Sequence, residues 1–381
     1  MSRWNRVPLG RVLRHRKDFI QIDDTERYKR CRVQLHAQGI ALRDIVPGTD
    51  IKTKRQQVCR AGEFLVAEID AKVGGFGLVP EELDAAIVSS HYFLFEIDES
   101  QLQRGFLGYY CRTRDFRGQV AAQGTTNYAA IRPGDVLGYA IPLPSLTEQQ
   151  SIIARLDTLE EKARQVTKHL DAIESDAVRL LAVRFREAIA NAPFRPLAEV
   201  APVVKRPVAI DLERTYPEVG ARSFGKGLFT KPAFDGAEAT WQKPVWIEPG
   251  DLVFSNIKAW EGAIAVAGPA HANCIASHRY ITCVPDRRLA SADFLRYHFL
   301  TDEGMERIGS ASPGTADRNR TLSMSNLMAI KVPVPSLENQ QAFDALQAKI
   351  TNLKAKHAAI REANAALMPA TLERVFSGVT Q

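Results

Sequence analysis

IPLPSLTEQQ, residues 141–150, returns as VPVPSLENQQ at residues 332–341. The pairs Ile141/Val332, Pro142/Pro333, Leu143/Val334, Pro144/Pro335, Ser145/Ser336, Leu146/Leu337, Gln149/Gln340 and Gln150/Gln341 are identities or aliphatic exchanges at an offset of 191. Each copy closes a stretch of mixed composition and opens a long helical one. The chain therefore reads as a head-to-tail duplication. Its expected order is a globular unit at 1–144, a helix at 145–192, a second globular unit at 193–335 and a second helix at 336–381.

The repeat extends into the globular units. At an offset of 188, GEFLVAEIDA (62–71) lies over GDLVFSNIKA (250–259) and Gly74 over Gly262. Ser90-His91 matches Ser277-His278, Phe106-Leu107 matches Phe294-Leu295, and Gly124-Thr125 matches Gly314-Thr315. Both units read as mixed α/β. A glycine, a charged residue and an apolar run (62–66 and 250–254) make a turn entering a buried strand. Residues 91–97 and 279–284 have strand patterning. Ser291 with Asp293 caps a short helix carrying Phe294, Leu295, His298 and Phe299, and residues 101–111 are its counterpart.

The connecting helices carry the clearest periodicity. Ile152, Leu156, Leu159, Ala163, Val166, Leu170, Ile173, Ala177 and Leu180 recur at steps of four and three. Phe343, Leu346, Ile350, Leu353, His357, Ile360, Asn364 and Leu367 do the same in the second helix. Each is a heptad seam that needs a partner helix, and the other helix of the chain is the nearest. His357 and Asn364 either fix register as polar seam residues or are simply tolerated. Ser145 and Ser336 stand where helix N-caps are expected, and Glu148 completes a capping box in the first copy only. At about 1.5 Å per residue each seam extends roughly 40 Å.

Bulk properties frame the function. The 381 residues are 45% hydrophobic and 25% charged, with a net charge of +6. They suffice for two or three domains, and the basic balance leans only weakly towards a polyanionic partner. No apolar run is long enough to span a bilayer, and the basic N-terminus lacks an apolar secretory core, so a cytoplasmic protein is expected. The five cysteines, Cys31, Cys59, Cys111, Cys274 and Cys283, include no CxxC pair and fit reduced, buried thiols.

The sequence carries no catalytic constellation. GARSFGKG (220–227) approaches a phosphate-binding loop, but Gly227 stands where Ser or Thr must hold magnesium and no helix start follows. NAPF (191–194) resembles the NPPY/F loop of amino-methyltransferases without the glycine-rich turn a methyl donor needs. The eight histidines show no metal-ligand spacing. His91 and His278 hold equivalent places, where a structural histidine is the commoner case. Glu63, Glu68 and Asp70 form no nuclease pattern shared by the second copy.

The order globular unit, PLPSLxEQQ, long helix, given twice, resembles the DNA-specificity subunit of type I restriction-modification systems over essentially the whole chain. Residues 142–150 and 333–341 look like the starts of that family's helical spacers. Residues 62–79 and 250–266 are similar to the central strands of its target recognition domains. The resemblance implies an α+β protein of two target recognition domains in pseudo-two-fold repeat, joined by two long helices forming an antiparallel coiled coil. It implies a non-catalytic subunit whose two units each read half of a split site in double-stranded DNA. The units differ around their shared core, so the halves should differ too. Two methyltransferase subunits and motor-nuclease subunits are the implied partners. ATP, magnesium and S-adenosylmethionine would belong to those partners and none to this chain. The alternatives are a single-chain methyltransferase or nuclease with an unrecognised site, or a non-specific assembly scaffold. Expected DNA contacts are Lys52, Lys54, Arg55, Arg112, Arg114, Arg117 and Asn127 in the first unit. In the second they are Lys226, Lys231, Lys258, Arg318, Asn319 and Arg320. Lysine and arginine are read as phosphate contacts, and the two asparagines, beside the repeated Gly-Thr, as base readers.

Overall fold

The computed structural model describes residues 4–121, 130–239, 243–314 and 320–377. The chain divides into two compact units, one formed by Met1–Asp171 with His357–Gln381, the other by Ala172–Lys356. The division cuts through both long helices, Leu146–Ile189 and Leu337–Ser377. Each unit thus holds one globular segment, the first half of the helix that follows it, and the second half of the other helix.

The first unit builds a four-stranded antiparallel sheet in the order Leu13–Arg16, Tyr92–Ile97, Phe64–Ala67, Phe76–Leu78. Beside it is a five-stranded sheet, Phe19–Gln21, Arg55–Val58, Ile87–Val88, Arg27–Gln34, Gly39–Pro47. Phe64, Leu65, Val66 and Ala67 are all buried, as a strand covered on both faces must be. The core centres on Phe64, Phe76, Phe116 and Tyr110, whose rings meet edge-on or tilted. The second long helix closes it: Phe376 lies 5.2 Å from the Phe106 ring and 5.4 Å from Tyr110.

The second unit repeats the plan in smaller sheets. Leu252–Ser255 is central between Ile264–Val266 and Tyr280–Cys283. Cys283 pairs Leu252 as Phe95 pairs Phe64 in the first unit. Here the first long helix closes the core, with Phe185 5.2 Å from Phe294 and 5.5 Å from Phe343. Phe185 and Phe376 are themselves equivalent, 191 positions apart.

The backbone records the duplication more faithfully than the side chains. Left-handed residues occur at His36, Ala37, Gly39, Gly62, Gly74 and Ala85, and again at Phe224, Gly225, Gly227, Gly250, Gly262 and Asn273. Every pair is separated by 188 positions. Non-glycine residues in this region cost about 1 kcal/mol each. Their recurrence with unrelated side chains shows that the surrounding hydrogen bonds, not residue preference, impose the turns.

The PLPSLxEQQ motif owes its recurrence to one buried amide. Gln149 and Gln340 are fully buried. Gln149 Oε1 accepts from the Gln103 N–H at 2.8 Å, and its Nε2 donates to the carbonyls of Gln101 and Pro144. Gln340 does the same with Ser291, Leu289 and Pro335. Each glutamine clasps the start of a long helix to the short helix of its own unit. Ser145 and Ser336 cap the long helices, accepting from the Glu148 and Asn339 N–H groups.

Within each unit the two helices run antiparallel. In the first, Asn364 donates to the Ala163 carbonyl at 2.8 Å and to Thr167 Oγ1, while Arg361 pairs with Asp171 at 2.7 Å. The seam departs from the heptad reading. Ile152, Leu156, Leu170, Phe343 and Ile350 are buried, and Leu159, Leu346 and Leu353 half-buried. Val166, Ile173, Ile360 and Leu367, together with Leu180, face outward instead. Their places are taken by Leu181 and Phe185 in the first helix and by Arg361, Met368 and Leu372 in the second. An α-helix turns at 3.6 residues, so a contact stripe on a nearly straight pair drifts off a 3.5-residue repeat by about 20° per heptad.

The phosphate-loop look-alike is a hairpin. Val219–Ala221 pairs with Leu228–Thr230, and Gly225 and Gly227 make its left-handed tip. All five cysteines are buried free thiols. No helix among the described residues is long and apolar enough to cross a membrane.

Candidate nucleic-acid interface

The hairpin tip of each unit is strapped to a short turn from the central strand. In the first unit the N–H groups of His36 and Ala37 donate to the carbonyls of Val73 and Gly74. In the second, Phe224 and Gly225 donate to Glu261 and Gly262, each at 2.8 Å. The geometry is shared, but the side chains on it are not.

On the second tip, cations stand over aromatic rings. Lys226 Nζ lies 5.8 Å from the Phe224 ring, and Arg222 lies 5.1 Å from Phe229. Trp260 carries both Lys258, at 5.2 Å, and Arg320, at 4.9 Å. Such pairs hold long side chains at the surface with their charge still presented outward. Glu261 sits among these cations, paired with Lys258. Hydrogen bonds from Lys258 and then Ser223 hold its carboxyl below the usual range. The tip is braced from beneath by Arg296, whose guanidinium donates to the Gly225 carbonyl at 2.9 Å. Burial lowers the Arg296 pKa.

Three of the expected contacts, Lys226, Lys258 and Arg320, therefore meet in one patch. Arg320 is also anchored, donating to the Gly309 carbonyl. Lys231 is elsewhere on the hairpin, paired with Glu218 at 2.7 Å. Arg318 and Asn319 lie outside the described residues, as does Asn127 with the first Gly-Thr loop. Arg222, Phe224 and Trp260 escaped the sequence reading. Two lysines of one unit, each two residues from an aromatic (Phe224 and Lys226, Lys258 and Trp260), were the available signal.

The first unit does not gather its candidates. Lys52 is exposed, and Arg55 lies over Phe19 at 4.2 Å on an edge of the five-stranded sheet. Lys54 is paired with Asp24 and donates to the Gly48 carbonyl, which ties it to the 48–54 segment. Arg112 is pinned by Glu160 at 3.2 Å and by the Tyr109 ring. Arg117 donates to the Thr113 carbonyl. Arg112 and Arg117 line a cavity of about 680 Å³ together with Asp157 and Glu160, whose carboxylates oppose a phosphate. Arg114 is exposed, and its N–H donates to Glu373. The strapped tip instead presents exposed Leu35, Ile69 and Val73. Arg132 and His91 both bond Glu68, each at 2.7 Å, a grouping absent from the sequence reading. His278 is exposed at the equivalent position. Among the described residues no cluster of His, Cys, Asp or Glu has metal-site geometry.

The chain thus carries two equivalent α/β units, each with a strapped tip of its own surface chemistry and each including part of both long helices. Residues 20–175 match the family described as type I restriction modification DNA specificity domain. No curated protein sequence matches. Among solved structures, the HsdS subunit from Thermoanaerobacter tengcongensis is similar with a TM-score of 0.62 at 21% identity, over 98% of this chain and 97% of that one. A structure described as showing complex assembly and conformational transition of the type I R-M system gives 0.71 at 22%, over 99% and 98%. Residues 20–175 are thus similar to the type I restriction modification DNA specificity domain, and the whole chain shares its fold with these two structures.

Proposed function

We propose that the chain is the non-catalytic specificity subunit of a type I restriction-modification complex, reading a split, asymmetric site in double-stranded DNA with one half per unit. The observation that carries this reading is the pairing of an identical strapped-tip backbone with dissimilar side chains: Phe224, Lys226, Lys258 and Trp260 against His36, Gln38, Asp70 and Lys72. One scaffold offering two chemistries suits two different half-sites. The cations of the second tip supply phosphate contacts, and its rings supply surfaces for bases.

The helices are proposed to dock two methyltransferase subunits, to which motor-nuclease subunits add. Support comes from the apolar side chains that face away from the helix pair. They are Val166, Ile360 and Leu367 in the first unit and Ile173, Leu180 and Val183 in the second. ATP, magnesium and S-adenosylmethionine are assigned to those partners.

The test is selection of random duplexes by the chain assembled with its methyltransferase, followed by sequencing. The expected product is a two-part motif with an unread gap and unequal halves. Recovery of DNA without any motif would favour the scaffold reading. Methylation or cleavage by the isolated chain would favour a catalytic one.

A further inference from the structure

We propose that Phe224 is a stacking wedge that enters the base stack of the half-site read by the second unit, and that the first unit has no equivalent. The inference rests on the DNA-reading function above.

Phe224 is 77% exposed, the largest exposure among the large hydrophobic side chains described. It is also in a left-handed conformation, φ 60°, that a bulky residue rarely adopts. A flexible loop would relax this strain, but here the tip is fixed on three sides. The Phe224 and Gly225 N–H groups bond the 261–262 turn, and the Arg296 guanidinium holds the Gly225 carbonyl. The ring is thus presented on a rigid support, where stacking costs little further ordering.

Its surroundings select the partner. An exposed phenyl ring among apolar neighbours would suit a protein surface. Phe224 stands beside Lys226, with Lys258 and Arg320 on the adjacent Trp260 and Arg222 on the same hairpin. An exposed ring with Lys226 over it, and with further cations on the neighbouring Trp260 and Phe229, matches a duplex, whose phosphates flank every base step. Apolar side chains inserted between base pairs partly unstack them, and flanking Lys and Arg hold the backbone on either side. In the first unit His36 takes the place of Phe224 and Asp70 that of Lys258, while Leu35 and Val73 are exposed nearby. That tip has neither the phenyl ring nor the lysine over it, Gln38 standing where the second unit has Lys226.

The experiment uses the full chain assembled with its methyltransferase and a duplex carrying the motif found by methylation mapping. 2-Aminopurine is placed in turn at each position of both half-sites. The expected result is a fluorescence rise at a single step, in the half read by the second unit. Phe224→Gly should abolish the rise and weaken binding about 5- to 100-fold, the loss of one base–aromatic stack. Its melting temperature should not fall, since glycine adopts φ 60° without strain. Its salt dependence should be unchanged, since no phosphate contact is removed. Phe224→Trp should restore the signal, and His36→Gly should leave it intact. Motif-specific binding without a localised rise, or a rise that survives Phe224→Gly, overturns the wedge alone. Absence of any motif-specific binding overturns the DNA-reading function and the wedge with it.

Discussion

Gln149 and Gln340 show how much structure one buried side chain can organise. Each amide satisfies one main-chain donor and two main-chain acceptors at a helix start. Replacing either by leucine fills the volume but strands those groups. Gln340→Leu is expected to cost about 3 kcal/mol. Denaturant titration, with probes near Phe185 and near Phe376, should show the loss in the second unit only. His298 gives a second residue-scale expectation. It is buried beside Phe185, its Nε2 has no partner among the described residues, and burial pushes its pKa down to about 4. As pH falls from 6.5 towards 4 the unfolded chain takes up a proton there that the folded chain refuses. Stability of the second unit should therefore drop by about 1.4 kcal/mol per pH unit across that window. His298→Phe should flatten the dependence. An unchanged slope between pH 6.5 and 4.5 in unfolding titrations would contradict the buried neutral histidine.

At the scale of the element, the long helices carry one set of buried and one set of exposed apolar side chains. Leu170 is buried between the helices, whereas Ile360 is 45% exposed. Leu170→Asp buries an unpaired charge and should cost several kcal/mol, lowering the melting temperature of the isolated chain. Ile360→Asp should leave that melting temperature within a degree or two, yet weaken assembly with the methyltransferase. Thermal melts and analytical size exclusion of the two variants separate these outcomes. Equal effects in both assays would contradict the docking role proposed for the exposed set. Asn364 shows why a polar seam residue is kept: its amide reaches across to Ala163 and Thr167, contacts available in only one register.

For the whole molecule, modular recognition has a structural condition. The first unit's core is completed by Met368, Leu372 and Phe376, which lie more than two hundred positions beyond its own sheets. A chimera exchanging residues 1–140 alone removes Trp4, Phe106 and Tyr110 from Phe376. It should fold poorly unless the facing positions of both helices travel with it. A chimera that also carries residues 141–171 and 357–381 should fold and change one half of the methylated motif. Methylome sequencing supplies the answer, and a change in both halves would contradict one reader per unit.

The sequence by itself determined the duplication, the order of units and helices, the buried central strands and the resemblance to type I specificity proteins. All of these are written in local patterns: a repeated decapeptide, apolar runs after glycine, and periodic apolar spacing. Its heptad register failed at Val166, Ile173, Ile360 and Leu367, because a stripe of 3.6-residue pitch is set by the partner's path, which no local spacing encodes. The candidate site was legible in part. Lys226, Lys258 and Arg320 were visible as charges, but not that hydrogen bonds between distant segments would gather them around Phe224 and Trp260. Nor could the pairing of Lys54 be read from the sequence, since its partners Asp24 and Gly48 meet it only in the fold. Tertiary structure alone decided that each unit is closed by the far end of the other helix. Burial of Phe185 and Phe376 depends on which surfaces become neighbours, not on the sequence around them.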